Sequence, residues 1–165
     1  MKIHTLAFLF RQNKIQLAMK KRGFGIGKRN GYGGKLEINE SPVDGVIREI
    51  GEESLIKIDV NALNELGNMD FYFENKADWN QKVIIYRVDD FEGEPAETEE
   101  MSPTWFDTNE IPYQEMWAGD DKFMPYIVEG KKFKGEIHFS ENGEELRKFE
   151  IKEIKDEKTS EIKMK

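Results

Sequence analysis

Three glutamates recur at a spacing that suits metal chemistry: Glu49, Glu52 and Glu53. The spacing i, i+3 and i+4 places all three carboxylates on one face of a helix. Like charges this close repel one another, so the face is destabilising unless a cation compensates. Mg²⁺ prefers oxygen ligands and keeps waters and substrate phosphates in its shell. The spacing therefore favours a divalent metal site, and the alternative is a solvated acidic helix face.

A helix over residues 42–54 is predicted to carry these glutamates. Ser41 is a favourable N-cap, Pro42 suits the first helical position, and the charge of Asp44 complements the helix dipole. Apolar residues recur at helical spacing and predict a buried stripe that leaves the acids pointing away from the core: Val43, Val46 and Ile50.

The surrounding sequence alternates between strand-like runs and turns. Two apolar runs, residues 5–10 and 15–19, flank a polar turn and predict a β-hairpin. Residues 22–34 hold six of the fourteen glycines, which predicts a loop whose backbone approaches another group closely. The pattern predicts an α+β fold with a mixed β-sheet, from further strand-like runs at 63–66, 69–73, 83–88 and 133–139 and a second helix around 124–128.

Bulk composition limits the partners. The formal net charge of -8 argues against a nucleic acid polymer, because phosphate backbones bind clustered Lys and Arg. A free nucleotide can still bind through a cation. The absence of cysteine excludes disulfides and thiolate metal sites and fits a cytoplasmic location. No apolar run approaches ~20 residues, so no membrane span is predicted.

The length of 165 residues suits one domain with a core. We predict that the domain spans residues 1–143 and that a charged extension covers residues 144–165. The extension mixes Lys and Glu almost evenly, which predicts a frayed segment with weak core contact. The sequence leaves the oligomeric state open.

The residues around the glutamates match a known motif. From Gly34 to Glu53 the chain reads G-x5-E-x7-R-E-I-x-E-E, with Glu40 and Arg48 at the fixed offsets. This run resembles the Nudix box, G-x5-E-x7-R-E-U-x-E-E-x-G-U, where U is a bulky aliphatic residue. The resemblance implies a Nudix-type α/β/α sandwich fold. It also implies an enzyme that hydrolyses nucleoside diphosphates linked to another group. Leu55 replaces the late glycine, which normally helps the chain turn, so we expect a rebuilt exit from the helix.

The resemblance also assigns roles to the motif residues. Glu49, Glu52 and Glu53 would be metal ligands, and which of them activates water is left open. Arg48 would orient a carboxylate through charged hydrogen bonds, and Glu40 would support the loop–helix junction. The metal, Mg²⁺ with Mn²⁺ as a substitute, would neutralise the phosphate chain and make water a better nucleophile. Two further ligands are implied outside the helix: Glu100 and the carbonyl of Gly33.

Sequence outside the motif narrows the branch of the family. The runs MKKRGFG (19–25), NGYGGK (30–35) and IPYQEMW (111–117) resemble the 8-oxo-dGTP diphosphatase branch, as do residues 100–106 and 133–139. Together these matches cover most of residues 5–139. They imply a purine site formed by Thr5, Lys20, Phe24, Asn30, Gly34, Trp117, Asp120 and Phe139.

Two kinds of contact are expected in that site. The three aromatic residues would supply stacking surface, and Asn30 and Asp120 would read the base edge through hydrogen bonds. As alternatives, the aromatic residues suit a core, Asn30 suits a turn, and Glu100 suits a solvated acidic run. A one-residue shift in the comparison would select Asp121 in place of Asp120.

The sequence therefore predicts Mg²⁺-dependent hydrolysis of oxidised purine nucleoside triphosphates, such as 8-oxo-dGTP, to the monophosphate and pyrophosphate. Such an enzyme would clean the nucleotide pool, with a small-molecule nucleotide as its partner. One alternative is a Nudix pyrophosphohydrolase for another nucleotide or nucleoside diphosphate derivative. The other is a catalytically idle Nudix-like domain that binds a nucleotide, although three intact, mutually repelling carboxylates argue against it.

Overall fold

The computed structural model of the chain describes residues 1–155, in which nine strands and two α-helices are joined by turns and three short 3₁₀ helices. The strands are β1 (Lys2–Arg11), β2 (Lys14–Lys20), β3 (Arg29–Asn30), β4 (Tyr32–Lys35), β5 (Leu63–Phe73), β6 (Gln81–Val88), β7 (Met101–Asp107), β8 (Phe133–Phe139) and β9 (Leu146–Glu153). The helices are α1 (Pro42–Ser54) and α2 (Asp120–Val128). Neither helix in this part of the chain is long and apolar enough to cross a membrane.

The nine strands form one mixed sheet between the two helices. Its order is β3-β2-β1-β6-β5-β8-β9, with β4 paired to β1 and β7 paired to β2. β1 runs parallel to β6 and β5 parallel to β8. On one face α1 packs in a core that includes Tyr32 and Tyr86, and on the other α2 contributes Phe123 and Ile127 to the core. The predicted α/β/α sandwich is confirmed.

The predicted hairpin is confirmed, and so are the bounds of the predicted acidic helix. The expectation that all of its acids point away from the core is wrong for Glu53, which is buried because it lies on the same helix face as the apolar stripe. β1 and β2 pair antiparallel, with Phe10 opposite Ile15. α1 spans Pro42–Ser54, and Ser41 Oγ accepts a hydrogen bond from the Asp44 N–H at 3.1 Å. That bond satisfies a free donor in the first turn and fixes where the helix begins.

The prediction of a loop throughout residues 22–34 is wrong for its second half. Arg29–Asn30 forms β3, and β4 begins at Tyr32 and pairs with β1. A Cβ at Gly33 would collide with the carbonyl of Thr5, so glycine allows the two strands to lie this close. The close approach expected from the glycine density exists, and its partner is strand β1.

Three elements differ in extent from the predicted ones. β5 is continuous where two runs were predicted, because a bulge between Glu65 and Gly67 absorbs the interruption. β7 pairs with β2 along its whole length, although residues 101–107 were not among the predicted strands. α2 begins at Asp120 and so extends well before residues 124–128.

The expectation of a frayed C-terminal extension is wrong for Leu146–Glu153. These residues form β9, which pairs antiparallel with β8 and satisfies the backbone groups of that edge. An edge strand exposes most of its side chains, so alternating Lys and Glu are compatible with it and even discourage aggregation. Because its side chains are mostly charged and exposed, this strand could not be distinguished from a frayed segment in the sequence. Residues 156–165 of the predicted extension lie outside the described residues.

The exit from α1 differs from the expected rebuilt turn. Leu55 adopts the left-handed conformation, with φ 64° and ψ 17°, and its N–H donates to the carbonyl of Gly51 at 3.0 Å. The backbone therefore turns as it would with glycine. Because the Leu55 side chain is exposed, the cost is confined to the backbone and is about 1–2 kcal/mol.

Candidate active site

Glu53 is the most enclosed carboxylate of the acidic helix. The residue is 1% exposed, and its Oε1 accepts a hydrogen bond from the Gly33 N–H at 2.9 Å. Burial raises the pKa of Glu53 to about 8; the Gly33 N–H opposes this rise and the charge of Glu49 adds to it. A carboxyl group removed from water beside a second carboxylate is stabilised in its charged form by a bound cation.

Arg48 neutralises much of the acidic face. Its guanidinium donates to Glu40 at 2.7 and 2.9 Å, to Glu49 at 3.0 Å and to Glu52 at 3.2 Å. The bidentate hydrogen bonds from Arg48 lower the pKa of Glu40 to about 2. Burial raises the pKa of Glu49, with Arg48 opposing the change. Arg48 therefore hydrogen-bonds to three carboxylates and is the counter-ion of two predicted metal ligands, Glu49 and Glu52.

Glu100, the predicted ligand outside the helix, belongs to the same electrostatic group. Its charge contributes to raising the pKa values of Glu49 and Glu53, and its carboxylate pairs with Arg22 at 3.3 Å. Within residues 1–155 no three acidic or histidine side chains already converge as a metal cluster. The donors nevertheless fit a hard divalent cation, because they are carboxylate oxygens. A Cβ at Gly34 would lie 2.8 Å from Glu49 Oε1, so glycine there leaves room for this ligand.

A cavity of about 260 Å³ opens beside this group. Glu53 lies in its wall, so the acidic helix and the cavity form one continuous site. Arg48 and the remaining carboxylates of the group lie outside the wall. All residues predicted to bind the substrate line the cavity, together with Gly33: Thr5, Lys20, Phe24, Asn30, Gly34, Trp117, Asp120 and Phe139.

Two residues of the wall carry buried polar atoms that lack a hydrogen-bond partner among the described residues: Asp120 Oδ2 and Thr5 Oγ1. Burial raises the pKa of Asp120 to about 8, which favours the protonated carboxyl, a form that can donate as well as accept a hydrogen bond. Asn30 Oδ1 accepts from the Gly31 N–H at 2.8 Å, which leaves its amide N–H groups as donors. Asp121 is exposed and does not line the cavity.

Phe24 and Trp117 contact each other. Their ring centroids are 5.2 Å apart and their planes differ by 25°. Trp79 and Phe73 meet Phe24 edge-on, at 5.1 and 6.3 Å. Phe139 is buried and stacks on Phe73 at 4.8 Å. A base that stacks on the Trp117 face covered by Phe24 has to displace that ring.

Several wall residues were not found from the sequence. Phe71 and Phe73 lie two positions apart on β5, and the two-residue period of a strand puts both on the cavity face, so this signal was available in the sequence. Lys28 and His4 gave no signal, because a lysine in a glycine-rich segment and a lone histidine are typical surface residues. The remaining residues of the wall are Leu6, Gly25, Gly31, Lys35, Gln81, Val83, Met101 and Phe123.

Comparison with known proteins decides the family. Residues 2–127 match the NUDIX domain. The chain belongs to the Nudix family. It is 41% identical over 138 residues to the oxidized purine nucleoside triphosphate hydrolase of Danio rerio, a match that covers 84% of this chain and 86% of the relative. It is 34% identical over 153 residues to the Mus musculus protein of the same name, covering 93% and 96%.

Solved Nudix structures share the fold. The MutT protein of Bacillus halodurans superposes with a TM-score of 0.79 at 22% identity, covering 92% of this chain and 97% of that one. A MutT NUDIX hydrolase of Burkholderia pseudomallei gives a TM-score of 0.64 at 24% identity, covering 75% and 95%. At these identities the likeness shows the fold alone. Together with the family match, it confirms the resemblance and makes this chain a Nudix hydrolase.

Proposed function

We propose that this Nudix hydrolase converts oxidised purine nucleoside triphosphates, such as 8-oxo-dGTP, to the monophosphate and pyrophosphate in the cytoplasm. One observation carries the proposal: Glu53 of the acidic helix lies in the wall of a cavity that also holds unpartnered buried polar atoms. The names of both curated relatives, oxidized purine nucleoside triphosphate hydrolases, support the same substrate class. The product of the reaction would no longer be usable for DNA synthesis.

At the metal end, the chain's own residues hold and orient the ligands. When bound, Mg²⁺ or Mn²⁺ neutralises the phosphate chain and makes water a better nucleophile. Arg48 keeps Glu40 in a fixed bidentate pair, and the Gly33 N–H fixes one oxygen of Glu53. Lys20 in the cavity wall supplies positive charge toward the phosphates. The proposed ligands are Glu49, Glu52, Glu53, Glu100 and the carbonyl of Gly33.

At the base end, unpartnered polar groups provide selectivity. Oxidation at C8 of guanine converts the N7 acceptor into an N–H donor and adds a carbonyl oxygen. A wall that offers the Asp120 carboxyl and the Asn30 amide can match one of these patterns and leave a buried group unpaired with the other. Trp117 and Phe139 supply apolar surface for the ring.

A substrate panel tests the proposal. The nucleotides 8-oxo-dGTP, dGTP, dATP and ADP-ribose would each be incubated with Mg²⁺ or with excess EDTA, and pyrophosphate release and product identity measured. We expect kcat/KM for 8-oxo-dGTP to exceed that for dGTP by about 10-fold or more, with no turnover in EDTA. Preference for ADP-ribose would instead establish the alternative, a Nudix pyrophosphohydrolase for another nucleotide derivative.

A further inference from the structure

Tyr32 carries a hydroxyl group that the fold itself does not require. The residue is fully buried in the core beneath α1, and its hydroxyl oxygen has no hydrogen-bond partner among the described residues. A phenylalanine would fill the same space without leaving a buried polar group unsatisfied, and would therefore be the more stabilising choice in this state. The hydroxyl group is explained if it gains a partner when the site is loaded.

The position of Tyr32 identifies that partner. Tyr32 begins strand β4, and the next residue, Gly33, donates its N–H to Glu53 Oε1 at 2.9 Å. In residues 1–155 no protein group donates to the second oxygen, Glu53 Oε2. Tyr32 packs in one core cluster with Val46 and Ile50 of α1, and Glu53 is buried on the same face of that helix. In agreement with this placement, the charge of Glu53 contributes, after burial, to raising the pKa of the Tyr32 hydroxyl. The Tyr32 hydroxyl, a buried donor, and Glu53 Oε2, an acceptor without a protein donor, thus lie on the same side of α1.

We propose that Tyr32 is a positioning residue: its hydroxyl donates a hydrogen bond to Glu53 Oε2 when Glu53 binds the metal. With the Gly33 N–H on Oε1, the carboxylate would then be held through both oxygens. Partners of this kind fix the direction of a metal ligand, and their loss typically costs about 10- to 100-fold in metal affinity or activity. The inference rests on the proposed function only in that Glu53 binds a divalent cation.

The chain supplies a matched control. Tyr86 is a second tyrosine buried in the same core, its hydroxyl also lacks a partner among the described residues, and burial likewise raises its pKa, to about 12. Its acidic neighbour is Glu65 on β5, which is no part of the proposed metal site. Tyr86→Phe therefore repeats the chemical change and the burial of Tyr32→Phe at a position away from Glu53.

The experiment compares Tyr32→Phe, Tyr86→Phe and the wild type by Mn²⁺ affinity in the absence of nucleotide, by thermal midpoint in EDTA, and by kcat and KM with 8-oxo-dGTP. For Tyr32→Phe we expect about 10-fold weaker Mn²⁺ binding, about 10-fold lower kcat, a KM within twofold, and an undiminished midpoint. Tyr86→Phe should match the wild type in metal affinity and kcat.

Two results would overturn the inference: Mn²⁺ affinity of Tyr32→Phe within twofold of the wild type, or an equal loss in Tyr86→Phe. Mn²⁺ affinity is measured without nucleotide, so it decides the role of Tyr32 even if wild-type protein fails to hydrolyse oxidised purines. That failure would refute the proposed substrate and leave the positioning role to be judged by the metal measurement alone.

Discussion

At the metal end the four glutamates of the motif each have a hydrogen-bond partner, whereas in the cavity two buried polar atoms have none among the described residues. Arg48 donates hydrogen bonds to Glu40, Glu49 and Glu52, and the Gly33 N–H donates one to Glu53. In the cavity wall the partnerless atoms belong to Asp120 and Thr5. Arg48 thus acts as a built-in counter-ion for three carboxylates at the metal end, while the base end leaves hydrogen bonds for the ligand to complete.

Replacing Glu53 should impair metal binding and lower kcat, and this is the largest effect we expect. We expect Glu53→Gln to lower kcat by about 10²-fold or more, because metal positioning and water activation act mainly in the transition state. The cavity should remain intact, so KM should change far less. Pyrophosphate release from 8-oxo-dGTP measures both constants, and Glu129→Gln, an exposed carboxylate beyond α2, is the control. A Glu53→Gln enzyme with wild-type kcat would refute the assignment.

Unfolding measured against pH should show that the buried carboxyl groups of Glu53 and Asp120 lower the stability of the unliganded protein as they ionise. Glu53 and Asp120 have pKa values of about 8 when folded, above the ordinary 4.5 and 3.8. Between those limits the unfolded chain releases protons that the folded one retains, so stability falls as pH rises from 5 to 8. We expect a loss on the order of 3 kcal/mol for each of the two groups. Glu40, with its pKa lowered to about 2, contributes stability that is lost only in acid, outside this window.

Denaturant unfolding in EDTA at pH 5, 6, 7 and 8 measures this loss. A double variant, Glu53→Gln with Asp120→Asn, should flatten the profile, because neither replacement titrates. Adding Mg²⁺ to the wild type should recover the part due to Glu53 and leave the part due to Asp120. Parallel profiles for the wild type and the double variant would contradict the prediction.

Selectivity should depend on Asp120 and not on its neighbour. We expect Asp120→Ala to lower the ratio of kcat/KM for 8-oxo-dGTP over dGTP by about 5- to 100-fold, the equivalent of about 1–3 kcal/mol for an unpaired group. Asp121→Ala should leave the ratio unchanged, because Asp121 is exposed. The reverse result would place the base-reading carboxyl one residue further along the chain.

Loss of the stacking ring should act evenly on all purines. We expect Trp117→Ala to reduce kcat/KM by about 1–3 kcal/mol for 8-oxo-dGTP, dGTP and dATP alike, since an aromatic face contacts any base. Trp105 lies on β7 outside the cavity wall, so Trp105→Ala is the control. A selective loss for 8-oxo-dGTP would show that Trp117 takes part in reading the edge.

The smallest effect is expected at the exit from α1. Leu55→Gly should stabilise the protein by about 0.5–1 kcal/mol, because glycine removes the left-handed penalty but gains entropy in the unfolded chain. The thermal midpoint should rise by about 1–4 °C. Leu55→Ala removes the exposed side chain while keeping the penalty, so it should give no such rise.

The acidic helix could be predicted from the sequence because its signals are local. The Ser41 cap, the proline at the first position and the apolar stripe all lie within thirteen residues of one another. The glutamate spacing places the three carboxylates near one another, but it did not show that Glu53 is buried on the core side of the helix. The turn after α1 was mispredicted because the sequence does not show that Leu55 is exposed. At an exposed position the left-handed conformation of leucine costs only the backbone penalty, so the chain can turn there without glycine.

The cavity depends on contacts between distant segments, and the residues alone did not define it. Asp120, Thr5 and Asn30 come from three separate elements, and only the family resemblance brought them together before the fold was known. β9 was missed because an exposed edge strand has no apolar alternation strong enough to distinguish it from a charged tail. Lys28, a lysine in a glycine-rich turn, gave no indication that it lines the cavity.

The stacking of Phe24 on Trp117 has a consequence for ligand affinity. A molecule that binds the covered face competes with a ring tethered to the same chain, whose effective concentration never falls. The apparent dissociation constant is then the intrinsic one divided by the uncovered fraction. With nine-tenths of the molecules covered, a ligand would seem roughly tenfold weaker than its contacts warrant. Compounds that leave Phe24 in place and bind beside it would avoid that competition.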